Sequence, residues 1–169
     1  MSEEQDINSP EMIETQEFTV ESLYNEAIDH AKADEAVKAL LDEPGVYTSN
    51  APMTLTPVVG KDGRKSVVIS GTGVMGDKIG RLRAPMSWEY REKANGKPDY
   101  QYSLWLQARA AYKIVFGEHA TSIGQVFEYL RDYPAKFRLI QVGVPTKNNP
   151  EPSGDPGNIV MGIYPIKGF

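Results

Sequence analysis

The sequence predicts a mainly β domain, a small barrel of five or six strands with one helix between the third and fourth, preceded by an acidic amphipathic helix. Three observations predict it. The turn dipeptides Asp62-Gly63 and Asn95-Gly96 each stand between β-prone runs. Apolar residues recur at helical spacing from Val20 to Leu41 and from Ile123 to Leu130. Charge is divided unevenly: residues 1–45 carry thirteen acids and two bases, a net −11, whereas residues 46–169 carry sixteen bases and ten acids, a net +6. At 169 residues the chain suits one domain with an appendage. We divide it into an acidic arm and helix, 1–45, and a basic β-barrel domain, 46–169.

Residues 1–18 lack periodicity and read as disordered or extended. Val20, Leu23, Tyr24, Ala27, Ile28, Ala31, Val37, Leu40 and Leu41 form the stripe of the acidic helix. Thr19 suits its N-cap, Asp34 suits the cap of a second short helix, and Pro44-Gly45 stops it. Such a stripe needs a surface to cover, which makes residues 20–41 a docking or self-association element. Strands follow at Thr54–Val59 and Lys65–Ser70, then at Ser87–Lys93 and Tyr100–Leu106 around the second turn. Residues 104–116 read as strand to about Gln107; Gln-Ala-Arg-Ala-Ala also favours a helix. A helix over Thr121–Tyr133, capped by Thr121 or Ser122 and ended by Pro134, precedes strands Lys136–Val144 and Asn158–Ile166. The Pro- and Gly-rich stretch Pro145–Gly157 is a long loop. Strand order with one helix between the third and fourth strands is that of an OB-fold; a jelly roll or another small sandwich is the alternative.

Several chemistries are poorly supplied. The absence of Cys excludes disulfides and thiolate metal sites, and His30 and His119 are too far apart in sequence to suggest zinc ligation. His119 with Ser122 suggests a base and a nucleophile only in outline. Gly71-Thr72-Gly73-Val74-Met75-Gly76 spells a dinucleotide-binding fingerprint, but Gly80 and Pro85 leave no room for the helix that motif needs. Those glycines read as relief for a twisted or bulged strand. No cofactor, metal or enzymatic activity is expected; a site in the 145–157 loop would have only loop length behind it. No apolar run reaches the ~18 residues of a membrane span, and the acidic start is not a signal peptide, so a cytoplasmic location is expected.

The stretch 81–113 is more informative. Arg81, Arg83, Arg91, Lys93, Lys97, Arg109 and Lys113 are interleaved with Trp88, Tyr90, Tyr100, Tyr102, Trp105 and Tyr112. Single-stranded nucleic acid is held by cations that track phosphates and by aromatic faces that stack on bases. On the strand reading Trp105 shares the polar parity with Gln101, Ser103 and Gln107 and is the base platform. Trp88, beside Met86 and Tyr90, is core. The candidate site is therefore Arg81, Arg83, Arg91, Lys93, Lys97, Trp105, Arg109 and Lys113.

Element order over 54–166, this composition and the acidic arm resemble small phage-type single-stranded DNA-binding proteins of the OB-fold kind. That resemblance implies non-specific binding of single-stranded DNA in phage replication or recombination, in the host cytoplasm, without cofactor. Such proteins commonly carry their acids in a C-terminal tail, whereas these are N-terminal and the chain ends Ile166-Lys167-Gly168-Phe169. The rival expectation is a structural protein, such as a virion component, that docks through its N-terminal helix.

Overall fold

A computed structural model describes residues 18–167; the first 17 and last two residues, and the side chains of Asp34 and residues 37–40, lie outside the described residues. The predicted extended arm, and the stripe positions Val37 and Leu40, fall there. The chain divides into two units, Met1–Ala36 and Val37–Phe169.

In the first unit the predicted helix from Val20 breaks well before Asp34. A 3-10 turn spans Glu21–Asn25, and helix α1 (His30–Leu40) begins five residues later. Thr19 Oγ1 accepts from Ser22 N at 3.2 Å, and Asp29 Oδ1 accepts from Lys32 N at 3.0 Å. Asp29, not Asp34, thus starts the second helix, because a short carboxylate captures backbone N–H groups and favours a cap over a helix interior. None of residues 18–33 is buried.

In the second unit β1 (Gly45–Ser49), β2 (Thr54–Val59), β3 (Lys65–Met75), β4 (Lys78–Met86), β5 (Lys136–Val142) and β6 (Gly157–Tyr164) form one antiparallel sheet. The Asp62-Gly63 turn joins β2 to β3 as expected, with Gly63 at φ 85°. One edge of β3 pairs with β2 and then with β1, while its other edge pairs with β4. β1 also pairs with β5, and β5 with β6. β4 and β6 approach each other without a ladder, so barrel closure is not seen.

That gap is spanned by helix α2 (Tyr100–Phe116), which packs on both strands. The Tyr100 hydroxyl donates to Val160 O at 2.5 Å, and Gln107 Oε1 accepts from Ile163 N at 2.9 Å. Two helix side chains thereby satisfy edge groups of β6 that a neighbouring strand would otherwise take.

This helix overturns the second predicted hairpin. Asn95-Gly96 does form a turn, but it closes only the isolated bridge Glu92↔Pro98. Tyr100–Leu106 is not a strand. Asp99 Oδ1 accepts from Tyr102 N at 3.0 Å, and Gly117 ends the helix at φ 83°. Between these caps lies an alanine-rich segment of high helix propensity. Leu104, Trp105, Ala108 and Ala111 share one helical face and are buried. The strand that precedes the helices is instead β4, whose turn the sequence hid in Gly76-Asp77.

The glycine motif lies in β3 and this turn. Gly73 pairs with Gly80, and a Cβ on Gly80 would stand 2.6 Å from the Tyr47 ring. The motif lies in strand, as expected, but Gly73 and Gly80 serve by making room for the fully buried Tyr47 and Gly71 by making room for Met53. Helix α3 (Ile123–Asp132) begins at Ser122, whose Oγ accepts from Gln125 N at 3.2 Å. It sends Phe127 between the tryptophans, with ring centroids 5.7 Å from Trp105 and 5.9 Å from Trp88. Beside this core Arg64 reaches from the β2–β3 turn to Asp99, donating from Nη2 at 3.0 Å to Oδ1 and at 2.9 Å to Glu89 O. The cap of α2 is thus held by a buried guanidinium, which keeps the Asp99 carboxyl below the usual carboxylate range.

Candidate nucleic-acid interface

The six strands contain six Lys or Arg residues and no Asp or Glu: Lys65, Lys78, Arg81, Arg83, Lys136 and Arg138. Pleating decides where four of them point. On β4, Arg81 and Arg83 are exposed and alternate with buried Leu82 and Ala84. On β5, Lys136 and Arg138 are exposed and alternate with buried Phe137 and Leu139. Register then builds a continuous outward face. Arg81 lies opposite Thr72, and Arg83 opposite Ser70, which in turn faces Thr54 on β2. One row crosses five strands as Ile79, Val74, Thr48, Lys136 and Tyr164. Three strand spacings of about 4.8 Å separate β4 from β5, so the cations flank a hydroxyl-bearing strip about 14 Å across. Tyr164 is 39% exposed at the far edge of that row.

Such a face offers point charges for phosphates, hydroxyls for sugar or phosphate oxygens, and one aromatic ring for a base. Acids reach it only from its border, among the described residues. Asp42 Oδ2 accepts from Arg81 N at 2.8 Å and from Arg81 Nε at 3.3 Å. Asp42 is itself fixed: its N–H donates to Asn158 Oδ1 at 2.9 Å, and its carbonyl accepts from Asn158 and Gln141. Glu43 lies 3.7 Å from Lys78.

The predicted site residues separate into three groups. Arg81 and Arg83 belong to the sheet face. Arg91, Lys93 and Lys97 are exposed on the turn before α2, where Arg91 pairs with Asp62. Arg109 and Lys113 are exposed on α2 beside His119; desolvation first, then these two cations, push the imidazole below its ordinary range. Trp105 is a correction: it is 8% exposed and packs on Phe127, because the segment is a helix whose face at that position looks inward. Trp88 is packed against the core as expected. Ser122 serves as a helix cap, so the base and nucleophile pair imagined with His119 has no support.

Lys136, Arg138 and Tyr164 were missed. Their signal was present as Lys136-Phe137-Arg138-Leu139, a strict polar and apolar alternation within a predicted strand. Among the described residues no helix is long and apolar enough to cross a membrane. Neither protein-family models nor curated proteins give a match to this chain.

Proposed function

We propose that this chain is a single-stranded DNA-binding protein of OB-fold type that binds without sequence preference, acting in phage DNA replication or recombination in the host cytoplasm. The observation that carries the reading is the distribution of charge over the strands: six bases, no acids, with Arg81, Arg83, Lys136 and Arg138 outward on one face. The pairing of strands supports the fold assignment. A long first strand split into β1 and β2, then β3, β4, the two helices α2 and α3, β5 and β6, with β1 joined to β5, is consistent with the OB-fold order of strands, with a second helix added before β5. Here α2 stands where the last ladder would close the barrel. A pleated face with no projecting helix suits a flexible strand better than the grooves of a duplex.

Binding measured by fluorescence anisotropy with a labelled oligothymidylate tests the reading. Single strands give a slope of about −0.7 in log K against log salt per phosphate neutralised, so four contacts imply a roughly fiftyfold loss between about 50 and 200 mM salt. Affinity independent of salt, or tighter binding to duplex, rejects it.

A second reading, a structural protein docking through its N-terminal segment, is favoured by one observation. Phe18, Val20, Leu23, Tyr24 and Ile28 are all exposed. A monomer at high concentration that binds oligonucleotide separates the first reading from this one.

A further inference from the structure

Between the 93–98 turn, the first half of α2 and β6 lies a half-enclosed pocket of about 310 Å³, lined by Lys93, Pro98, Tyr100, Ser103, Leu104, Gln107 and Met161. That volume is at the small end of ligand sites. Its walls are rigid for reasons already given. Tyr100 and Gln107 are each tied to the backbone of β6, and the turn bearing Lys93 is closed by Lys93 N donating to Lys97 O at 2.8 Å. Pro98, Leu104 and Met161 supply an apolar lining. Lys93, the Ser103 hydroxyl and the Gln107 amide can supply donors; Gln107 uses its oxygen on Ile163, so its NH2 is the group it can offer a ligand. None of the seven residues is acidic. Arg83, from the cationic sheet face, lies close enough to bear electrostatically on the Tyr100 phenol at the pocket wall.

We propose that this pocket holds one nucleotide of the bound strand, its base unstacked into the apolar cleft with carbonyl acceptors toward Ser103 and Gln107, and its phosphate near Lys93. An apolar slot with Lys93, a hydroxyl and an amide on its walls and no acid fits a planar, acceptor-rich, anionic ligand. The inference rests on the single-stranded DNA reading and adds a base-sized subsite beyond the sheet face.

Methyl-labelled methionine provides the readout, because Met161 lines the pocket whereas Met86 is buried in the core. The full chain is titrated with decathymidylate, with thymidine monophosphate and with inorganic phosphate. The Met161 methyl is expected to shift with the oligonucleotide and, at higher concentration, with the mononucleotide, while phosphate leaves it in place and Met86 stays silent throughout. Lys93→Glu and Lys97→Glu change charge equally on the same exposed turn; Lys93→Glu is expected to weaken oligonucleotide binding several-fold more. Met161→Trp, which fills the cleft, should cost fivefold or more in affinity for decathymidylate and nothing for an abasic strand of equal length. Should Met161→Trp fail to fold, the Lys93 and Lys97 pair and the methyl titration still decide.

Oligonucleotide binding with a silent Met161 and equal lysine variants overturns the pocket and leaves the DNA-binding reading intact. A Met161 shift with mononucleotide alone overturns it in favour of a free-nucleotide site. Failure of the native chain to bind any oligonucleotide at low salt rejects the DNA-binding reading itself.

Discussion

Strand β5 and helix α2 both carry two bases outward, yet they present them on opposite physical terms. On β5 the period of two puts Lys136 and Arg138 on one face and Phe137 and Leu139 on the other, so a basic surface and a core wall come from four consecutive residues. On α2 the period of 3.6 sets Arg109 and Lys113 one turn apart, beside exposed Leu106 and Ile114, while Trp105 turns inward. The strand lies in a sheet whose five other strands carry no acid. The helix stands as a single rod. Charge on a sheet adds laterally into a surface; charge on one helix adds along a line.

The largest expected effect tests the inward side of α2. Trp105→Ala removes a buried indole stacked near Phe127 and should lower stability by about 3–5 kcal/mol, read by denaturant titration. If stability is unchanged, Trp105 is exposed and the helix assignment fails. Next is Arg64→Met, which strips the partner from Asp99 at the cap of α2 and should cost about 3 kcal/mol, at the low end for a buried pair. Its pH dependence has a defined sign. The Asp99 carboxyl titrates lower folded than unfolded, so its contribution is complete above the unfolded value near 4 and is lost as pH falls through the folded value. Asp99→Asn should therefore narrow the stability difference from the native chain as pH drops below about 4.

Smaller effects compare the two surfaces directly. Lys136→Ala with Arg138→Ala should reduce the salt slope for oligothymidylate by about 1.4, two contacts at about 0.7 each. The matching pair Arg109→Ala with Lys113→Ala should leave the slope near its native value. Equal losses would mean that the strand of DNA crosses α2 as well. Asp42→Asn removes a negative charge from the border of the basic face and should raise affinity at low salt, while stability changes by no more than an exposed ion pair contributes, about 0–1 kcal/mol. The smallest expected effect is none: the His119 imidazole, beside Arg109 and Lys113, should keep its titration midpoint when oligonucleotide is added. An upward shift, followed by proton NMR, would bring phosphates to α2.

Much of the sheet was legible because strand and turn signals are local. Asp62-Gly63, the caps of α3 and the alternation in β5 each act within about four residues. The error at 100–116 arose where two local signals compete. Tyr100, Tyr102, Leu104 and Leu106 alternate like a strand, but Asp99 and Gly117 cap a helix, and those caps lie seventeen helical residues apart. β4 was hidden because the glycines from Gly71 to Gly80 read as irregularity, whereas Gly73 and Gly80 make room for Tyr47 from a strand about thirty residues earlier. The candidate site was half legible for the same reason. Residues such as Arg81 and Arg83 can be found from one strand, but the surface they share with Lys136 and Arg138 exists only through the register of β3, β1 and β5. No local pattern records that register.

The pairing of β1 with two partners has a consequence for the order of assembly during synthesis. The meander β2, β3 and β4 is built from neighbours in sequence and can form once residue 86 is free. Helices α2 and α3 are local as well. β1 can then take its place on β3, but its other edge waits for β5, where Thr48 meets Lys136. At about 5–20 residues per second the roughly fifty residues between the end of β4 and β5 take about 2.5–10 s to make. Through that interval the N-terminal edge of the sheet stands open, and closing it carries the loop entropy that slows folds rich in distant contacts. A chain truncated before residue 136 should therefore hold a formed meander with an unsatisfied first strand, a species that associates through that edge.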